Sequence, residues 1–307
     1  MQRIAVLNQK GGVGKTTTSV NLASGLTRLG QKVCLVDLDP QAHATTHLGV
    51  ANQANLPTLY HALVQNQPLP TLLKQVKPGL FLIPADLNLA AAEVELAGVV
   101  GRELILKDQV ENLTLPDGSC FDWIIMDCGP SLGVLTLNAL AASHEVIIPL
   151  QPHFLALHGM GKLFETTGLV ARRINPQLKV LGILLSLYEP HTRLAQEVAG
   201  DLSAFLQKSS LGKQPWSGAR IFQTKIRRNI KLAEAPGFGQ AIFDYAPQSH
   251  GADDYDHFAR ELLNIVQDRK MSSEEANQSL HARHDLAPPA SISTPSTEPV
   301  TWPNPVL

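Results

Sequence analysis

Short apolar segments alternate with stretches of helical periodicity along most of the chain. Six apolar runs have the length of buried strands: residues 4–7, 33–36, 80–83, 123–126, 146–150 and 180–185. Between the first two runs, apolar residues recur at helical spacing (Val20, Ala23, Leu26 and Leu29) and Gly30 follows them, which predicts a helix over residues 16–29. Buried strands alternating with helices indicate an α/β fold, with a doubly wound, mostly parallel sheet and helices on both faces.

A glycine-rich turn joins the first predicted strand to the first predicted helix. It consists of Lys10, Gly11, Gly12, Val13, Gly14, Lys15, Thr16 and Thr17. A strand, such a turn and a helix in this order are typical of a P-loop, where backbone N–H groups and the helix N-terminus surround phosphates. In a P-loop, Lys15 reaches the β- and γ-phosphate oxygens and the Thr16 hydroxyl ligates Mg²⁺. The motif is a variant, because the standard pattern has glycine where this chain has Gln9.

Carboxylates end two of the predicted strands. Asp37 and Asp39 follow one apolar run, and Asp127 follows another. Because the carboxyl ends of parallel strands face the ligand crevice, we interpret Asp127 as the carboxylate that holds Mg²⁺ through a water molecule. Either Asp37 or Asp39 then orients the attacking water. One acid alone would be better explained as a helix cap, but both strands together with the P-loop indicate nucleotide hydrolysis.

Five segments carry a family resemblance over roughly residues 1–268. In order and spacing, the chain resembles the ParA/Soj partition ATPases of the deviant-Walker-A superfamily in KGGVGKTTTSVNLA, VDLDPQAHATTHLG, DWIIMDCGPSLGVLTLNAL, IIPLQPHFLALHGM and IRRNIKLAEAPGFGQAIFDYAPQSHGADDY. The resemblance implies that ATP is the nucleotide and that Lys10 crosses a nucleotide-sandwich dimer to the ATP of the partner. It also implies that Asp39 sets the hydrolytic water and Asp127 completes the metal shell.

The chain departs from the family pattern at three positions. Gly129 stands where the first of two prolines is usual, His43 stands near a common asparagine, and Arg227 replaces a common proline. The first two changes bear on motion of the loops around the γ-phosphate and on the hydrolysis rate. The third adds charge to a basic segment.

That basic segment is the candidate DNA contact. Five cations lie between residues 220 and 231 with no acid among them: Arg220, Lys225, Arg227, Arg228 and Lys231. Arg193 begins a predicted helix upstream, and the resemblance aligns Arg193 and Arg228 with basic residues that the family uses on DNA. A solvated basic face is the alternative. Phosphate contacts are independent of base sequence, and a dimer would present the patch twice.

Composition favours one α/β domain over residues 1–268. The chain has 307 residues, of which 44% are hydrophobic, and a formal net charge of −2. Residues 269–307 are rich in Ser and Pro, which predicts a disordered tail. The sequence shows no signal peptide and no apolar run that could span a bilayer, so we expect a cytoplasmic protein.

The cysteines and two histidines offer little chemistry. Cys34, Cys120 and Cys128 form no CxxC pair, so we expect small core residues in a reducing compartment. His43 and His47 are four residues apart, as in some zinc sites, but no third ligand accompanies them in a recognisable pattern.

The resulting hypothesis is a partition ATPase that binds DNA under nucleotide control. An ATP-bound homodimer sits on double-stranded nucleoid DNA without sequence preference, and a ParB-like activator releases it by stimulating hydrolysis. A MinD-like membrane switch is the alternative, but residues 271–307 lack its basic amphipathic helix, so no stable membrane anchor is expected. A nitrogenase-reductase-like electron carrier lacks a second suitably placed cysteine. A scaffold without turnover has no need of Lys15, Thr16, Asp39 and Asp127 together.

Overall fold

The computed structural model of the chain describes residues 1–50, 56–153, 156–190 and 192–284. By internal contacts the chain divides into two units, Met1–Leu263 and Asn264–Leu307. The first unit contains every strand described below and all of the site residues predicted above.

One sheet organises the first unit. Its strands are β1 (Gln2–Val6), β2 (Val33–Leu38), β3 (Lys74–Lys77), β4 (Leu80–Ile83), β5 (Trp123–Cys128), β6 (Glu145–Leu150), β7 (Lys179–Leu185) and β8 (Arg220–Ile221). Their spatial order is β3-β4-β2-β5-β1-β6-β7-β8, and each neighbouring pair is parallel except β3 with β4. All residues of β2, β5 and β6 are buried, as expected for parallel strands covered on both faces.

Helices connect the strands and cover the sheet. In chain order they are α1 (Lys15–Arg28), α2 (His43–His47), α3 (Leu59–Gln65), α4 (Ala92–Glu95), α5 (Ile105–Glu111), α6 (Val134–Ala142), α7 (Ala156–Arg173), α8 (Arg193–Ser209), α9 (Ile230–Glu234), α10 (Ile242–Tyr245) and α11 (His250–His284). Short 3₁₀ helices occur at Leu69–Leu72, Leu87–Ala91 and Ala235–Phe238. Helix α1 begins at Lys15, within the glycine-rich turn, and stops before Gly30, whose φ of 81° suits glycine.

The structure confirms the α/β fold with a mostly parallel sheet. The six apolar runs lie in β1, β2, β4, β5, β6 and β7, and α1 covers the predicted first helix within one residue at each end. Cys34 and Cys128 are buried as expected, whereas Cys120 is exposed in a loop, where no strand or helix encloses it. In the described part of the chain, no helix is both long and apolar enough to cross a membrane.

The C-terminal helix extends past the predicted domain boundary. Helix α11 runs from His250 to His284, so the boundary at residue 268 falls inside it. Residues 269–284 are therefore helical where disorder was predicted. The composition of residues 272–284 explains the difference, because Glu, Ala, Gln and Leu are strong helix formers there. The rest of the predicted tail, residues 285–307, lies outside the described residues.

Candidate functional site

The site lies where the direction of strand progression reverses. Strand β1 pairs with β5 on one side and with β6 on the other, so connections leave this point in both directions. In open α/β sheets the crevice at such a point, outside the carboxyl ends of the strands, binds ligands. Asp37 of β2 and Asp127 of β5 lie side by side there, as paired residues of neighbouring strands. The glycine-rich turn starts just beyond the end of β1.

The glycine-rich turn has the backbone of an open phosphate cradle. Gly12 and Gly14 have φ of 73° and 86°, a left-handed region that favours glycine. A Cβ built on Gly11 or Gly12 would meet nothing within 4 Å, so the space above the turn is open. Ser186, after β7, fixes the turn from behind by donating its hydroxyl to the Val13 carbonyl at 2.6 Å. The sequence did not point to Ser186.

A cavity of about 430 Å³ opens above this turn. Its size is within the range of small-molecule sites. The lining brings together the cradle, the end of β2, the turn after β5, the end of β7, the segment around α9 and the start of α11: Gly11, Gly12, Gly14, Lys15, Thr16, Thr17, Asp39, Gln41, His43, Pro130, Ser186, Leu187, Ile226, Asn229, Leu232, Ala233 and Tyr255.

Lys15 is the cation at the base of the cavity. Its side chain is largely buried, and its ammonium donates to the Lys10 carbonyl at 3.1 Å. Burial lowers the pKa of Lys15, while the nearby carboxylates of Asp127 and Asp39 oppose that shift. Lys15 therefore lies between two acids on one side and an open cradle on the other, the position from which an ammonium can contact a phosphate.

Asp127 is a buried carboxylate with one oxygen available. Ser19, one turn after Lys15 in α1, donates to its Oδ1 at 2.8 Å. Its Oδ2 is buried and has no hydrogen-bond partner among the described residues. Burial, and next the charge of Asp37, raise the pKa of Asp127, whereas the Ser19 and Thr16 hydroxyls lower it. An orphaned carboxylate oxygen beside a threonine hydroxyl is a donor set that fits Mg²⁺.

Asp37 and Asp39 have different surroundings. Asp37 is fully buried and accepts three bonds, from the backbone N–H of Asp39 at 3.2 Å, the N–H of Thr45 at 2.9 Å and the Thr45 hydroxyl at 2.7 Å. Asp37 therefore holds α2 to the end of β2. Asp39 lines the cavity and accepts from the N–H of Gln41 at 3.0 Å. Of the two acids, Asp39 is the one that can contact a bound ligand.

The three departures from the family pattern lie at or near this cavity. His43 lines it, and a Cβ built on Gly129 would lie 3.4 Å from the Asp39 carboxyl carbon. Glycine at position 129 thus leaves room beside Asp39 that a larger residue would fill. Arg227 forms a two-pronged ion pair with Asp254 of α11, its Nη2 lying 2.6 Å from Oδ1.

Lys10 extends away from the base of the cavity. It is exposed, and its ammonium contacts Nε2 of His153, in the loop after β6. Its backbone N–H donates to Oδ1 of Asn8 at 3.0 Å, and the amide of Asn8 donates to the Pro149 carbonyl at 2.7 Å. The two lysines of the cradle therefore have different environments, Lys15 inside the protein and Lys10 at its surface.

The basic segment forms one wall of the cavity with its apolar and neutral residues. None of its five cations lines the cavity, and three of them pair with acids. Arg228 pairs with Glu189 at 2.9 Å and Lys231 with Glu234 at 2.8 Å, both pairs well exposed. Lys225 lies over the Tyr188 ring at 4.7 Å.

Arg193 begins α8 as an exposed residue. It forms no ion pair among the described residues, unlike Arg227, Arg228 and Lys231. Exposed cations with one weak partner exchange that partner readily, because surface pairs contribute little free energy. Arg193 and Arg228 therefore remain available to bind phosphates, whereas Arg227 is held in its ion pair with Asp254.

The described residues contain no group of three or more His, Cys, Asp or Glu side chains that could hold a metal ion by themselves. His47 is buried and His43 is exposed.

Comparison with known proteins identifies similar chains. A family model described as an AAA domain matches residues 1–180. The chromosome-partitioning ATPase Soj of Thermus thermophilus is 43% identical over 268 residues, covering 87% of this chain and 98% of that protein. The sporulation initiation inhibitor protein Soj of Bacillus subtilis is 39% identical over 260 residues, covering 84% and 97%.

A solved structure with a similar fold contains a bound nucleotide. A cobyrinic acid a,c-diamide synthase from Mycobacterium smegmatis, with bound ADP and magnesium, has a TM-score of 0.71 at 37% identity and covers 87% of this chain and 96% of that one. It is less similar in sequence than the Thermus partition ATPase.

Proposed function

The chain belongs to the Soj/ParA family of chromosome-partitioning ATPases, and on that premise we propose that it is a nucleotide-controlled DNA-binding switch. ATP is its substrate and Mg²⁺ its cofactor. In the proposed cycle, ATP joins two copies into a sandwich dimer that binds double-stranded nucleoid DNA without sequence preference. A ParB-like activator then stimulates hydrolysis, and the dimer separates and leaves the DNA.

Residues at the carboxyl edge of the sheet carry out hydrolysis in this proposal. Lys15 binds the β- and γ-phosphates, and Asp39 orients the attacking water. The Thr16 hydroxyl and Asp127, the latter through water, would hold Mg²⁺, and the bound ion would supply positive charge to the phosphate oxygens. Backbone N–H groups of residues 11–17 surround the phosphates.

The position of Lys10 is the observation that best supports the proposed dimer. Lys15 already supplies one ammonium to the base of the cavity, while Lys10 is exposed and its ammonium contacts a neighbouring loop. An ammonium displayed at the surface beside a phosphate cradle can serve a phosphate on another molecule. This placement supports a role for Lys10 across the dimer.

Substitution of Lys10 tests the proposal. Lys10→Ala should keep ATP binding within about threefold, because Lys15 and the cradle are unchanged, but should stay monomeric in ATP and lose activator-stimulated hydrolysis by roughly 100-fold or more, the range for lost electrostatic transition-state stabilisation. Sedimentation velocity in ATP and phosphate release with DNA and activator measure the two effects.

Lys32→Ala is the matched control. Lys32 is an exposed lysine just before β2, at the opposite edge of the sheet, where its ammonium donates to the Ser119 hydroxyl at 2.9 Å. It should dimerise and hydrolyse like the unchanged protein. A Lys10→Ala protein that still forms dimers and retains full stimulated turnover would refute the proposal.

The DNA contact is the second part of the proposal. Arg193 and Arg228, with Lys225 beside them, are its principal cations, and Lys231 lies at its end. Arg227 anchors the segment to α11 through Asp254, so we assign it a supporting position. A single patch of this size binds phosphates weakly, and duplication in the dimer supplies the avidity that makes retention depend on ATP.

A further inference from the structure

The main chain of Lys10 is held from two sides. Its N–H donates to Asn8, and its carbonyl accepts from the Lys15 ammonium, at 3.0 and 3.1 Å respectively. Asn8 is in turn tied to the Pro149 carbonyl near the end of β6. Movement of Lys10 is therefore restricted to its side chain, which has four rotatable bonds and a compact charge.

The tip of that side chain has a specific partner on the same molecule. The Lys10 ammonium contacts Nε2 of His153, three residues beyond the end of β6. The same strand end that fixes Asn8 thus also carries the imidazole that receives Lys10. No sequence pattern singles out His153, because 143 residues separate it from Lys10.

The chemistry of the contact requires a neutral imidazole. A lysine ammonium has only protons to donate, so Nε2 must carry a free lone pair. Burial, and next the charge of Lys10, lower the pKa of His153, which favours the neutral ring. In its neutral form the imidazole accepts a hydrogen bond from Lys10 at Nε2.

We propose that His153 is a positioning residue that holds Lys10 on its own protomer and so opposes formation of the ATP dimer. This inference rests on the proposed role of Lys10 across the dimer. An ammonium bound to His153 has to leave it before it can contact a phosphate on the partner. The imidazole thus competes with the partner's nucleotide for one lysine.

The expected change in free energy is small for each protomer, and it counts twice when the dimer forms. A hydrogen bond at a partly exposed site changes an equilibrium by roughly threefold. Because two lysines are released when one dimer forms, His153→Ala should tighten the monomer–dimer equilibrium in ATP by roughly tenfold. His153→Gln, whose side-chain oxygen can still accept from Lys10, should return the equilibrium towards that of the unchanged protein.

Sedimentation over a series of protein concentrations, with Mg²⁺ and a slowly hydrolysed ATP analogue, measures this equilibrium. ADP affinity of the monomer should be the same in all variants, because it does not require release of Lys10. Loss of one exposed hydrogen bond should change the melting temperature by no more than about 2 °C. His257→Ala is the matched control, since His257 is an exposed histidine on α11 whose ring contacts the Asp253 carbonyl of its own helix. It should leave dimerisation unchanged.

The outcomes separate this inference from the proposed function. A dimer that requires Lys10 but is equally stable with His, Ala or Gln at position 153 would overturn the inference alone. Weaker dimerisation of His153→Ala, or no rescue by His153→Gln, would also overturn it. If the unchanged protein forms no dimer in ATP, the proposed function itself fails.

Discussion

Buried charges of opposite sign lie together at the base of the cavity. Asp37 and Asp127 are paired residues of neighbouring strands and are both fully buried, with Lys15 nearby. Burial raises the pKa of each carboxyl group. Removing one partner from a buried set of charges typically destabilises a protein by about 3–5 kcal/mol. A Lys15 substitution therefore mixes loss of stability with loss of binding, whereas Lys10 is exposed and can be changed cleanly.

Titration of His47, the last residue of α2, makes the free energy of unfolding depend on pH. His47 is buried, and burial lowers its pKa from 6.5 to about 4. Between pH 6.5 and pH 4 the His47 ring is protonated in the unfolded chain but neutral in the folded protein. Acid therefore favours unfolding. The stabilisation that is fully present above pH 6.5 decreases as the pH falls towards 4. From pH 7.5 to 5.5, this residue alone should lower the free energy of unfolding by about 1 kcal/mol.

Urea unfolding of the unchanged protein and of His47→Gln at both pH values measures that contribution. The variant is less stable at either pH for packing reasons, so the comparison is between the two differences. Its loss between pH 7.5 and 5.5 should be smaller by about 1 kcal/mol, because the other histidines contribute equally to both proteins. Equal losses would mean that His47 titrates normally in the folded state.

Individual site residues were predictable where a local pattern marks them. The cradle and the acids at strand ends are contiguous in sequence with their strands, so their position follows from secondary structure. Secondary structure did not distinguish Asp37 from Asp39. The distinction depends on Thr45, which donates two hydrogen bonds to Asp37. Ser186 and His153 were missed for the same reason, since each contacts the cradle from a distant part of the chain.

Strand β8 depends on the absence of a side chain in β7. Gly182 pairs with Arg220, and a Cβ on Gly182 would lie 2.7 Å from the Arg220 carbonyl oxygen and 2.9 Å from the Phe222 ring. Gly182→Ala has to displace β8, and overpacking of this kind costs about 1–3 kcal/mol. For a unit of this size, the melting temperature should fall by roughly 2–6 °C.

Gly200→Ala is the control in the neighbouring helix. Gly200 lies within α8, and a Cβ there would meet nothing within 4 Å. Alanine is favoured over glycine inside a helix by roughly 0.5–1 kcal/mol, so this variant should melt slightly higher. If the Gly182 and Gly200 variants melt together, the close approach of β7 and β8 does not limit stability.

Elements were predictable in proportion to their burial. The six strands inferred from apolar runs form the middle of the sheet. Strand β3 is an antiparallel edge strand with the polar sequence KQVK, and β8 has only two residues, so neither leaves an apolar signal. The end of α11 was missed because Ser and Pro further along obscured the helix-forming composition of residues 272–284.

At the scale of the molecule, a net charge of −2 conceals a local cationic surface. Arg193→Glu with Arg228→Glu should leave ATP binding intact and weaken DNA retention by at least roughly tenfold. The slope of log affinity against log salt should become shallower by about 0.9 for each phosphate that the variant no longer neutralises. Filter binding of the ATP form to unrelated duplexes across a salt series measures both quantities.

Arg172→Glu with Lys213→Glu makes the same total change in charge elsewhere. Both cations are exposed and line a separate cleft with Lys179, the first residue of β7, at the edge opposite the cradle. This pair of reversals should alter DNA retention far less. Equal losses in the two double variants would show that net charge, and not the patch at Arg193 and Arg228, governs retention.

The residues that line the cavity are added to the chain at widely separated times during translation. Gly11 and Tyr255 both line the cavity, and roughly 240 residues separate them. At about 5–20 residues per second, the ribosome adds Tyr255 roughly 12–50 s after Gly11. The central strand β1 likewise waits for β5 and β6, its two neighbours. A nascent chain thus carries a finished phosphate motif for most of its synthesis without a finished nucleotide site, and ATP can stabilise the molecule only near the end of translation.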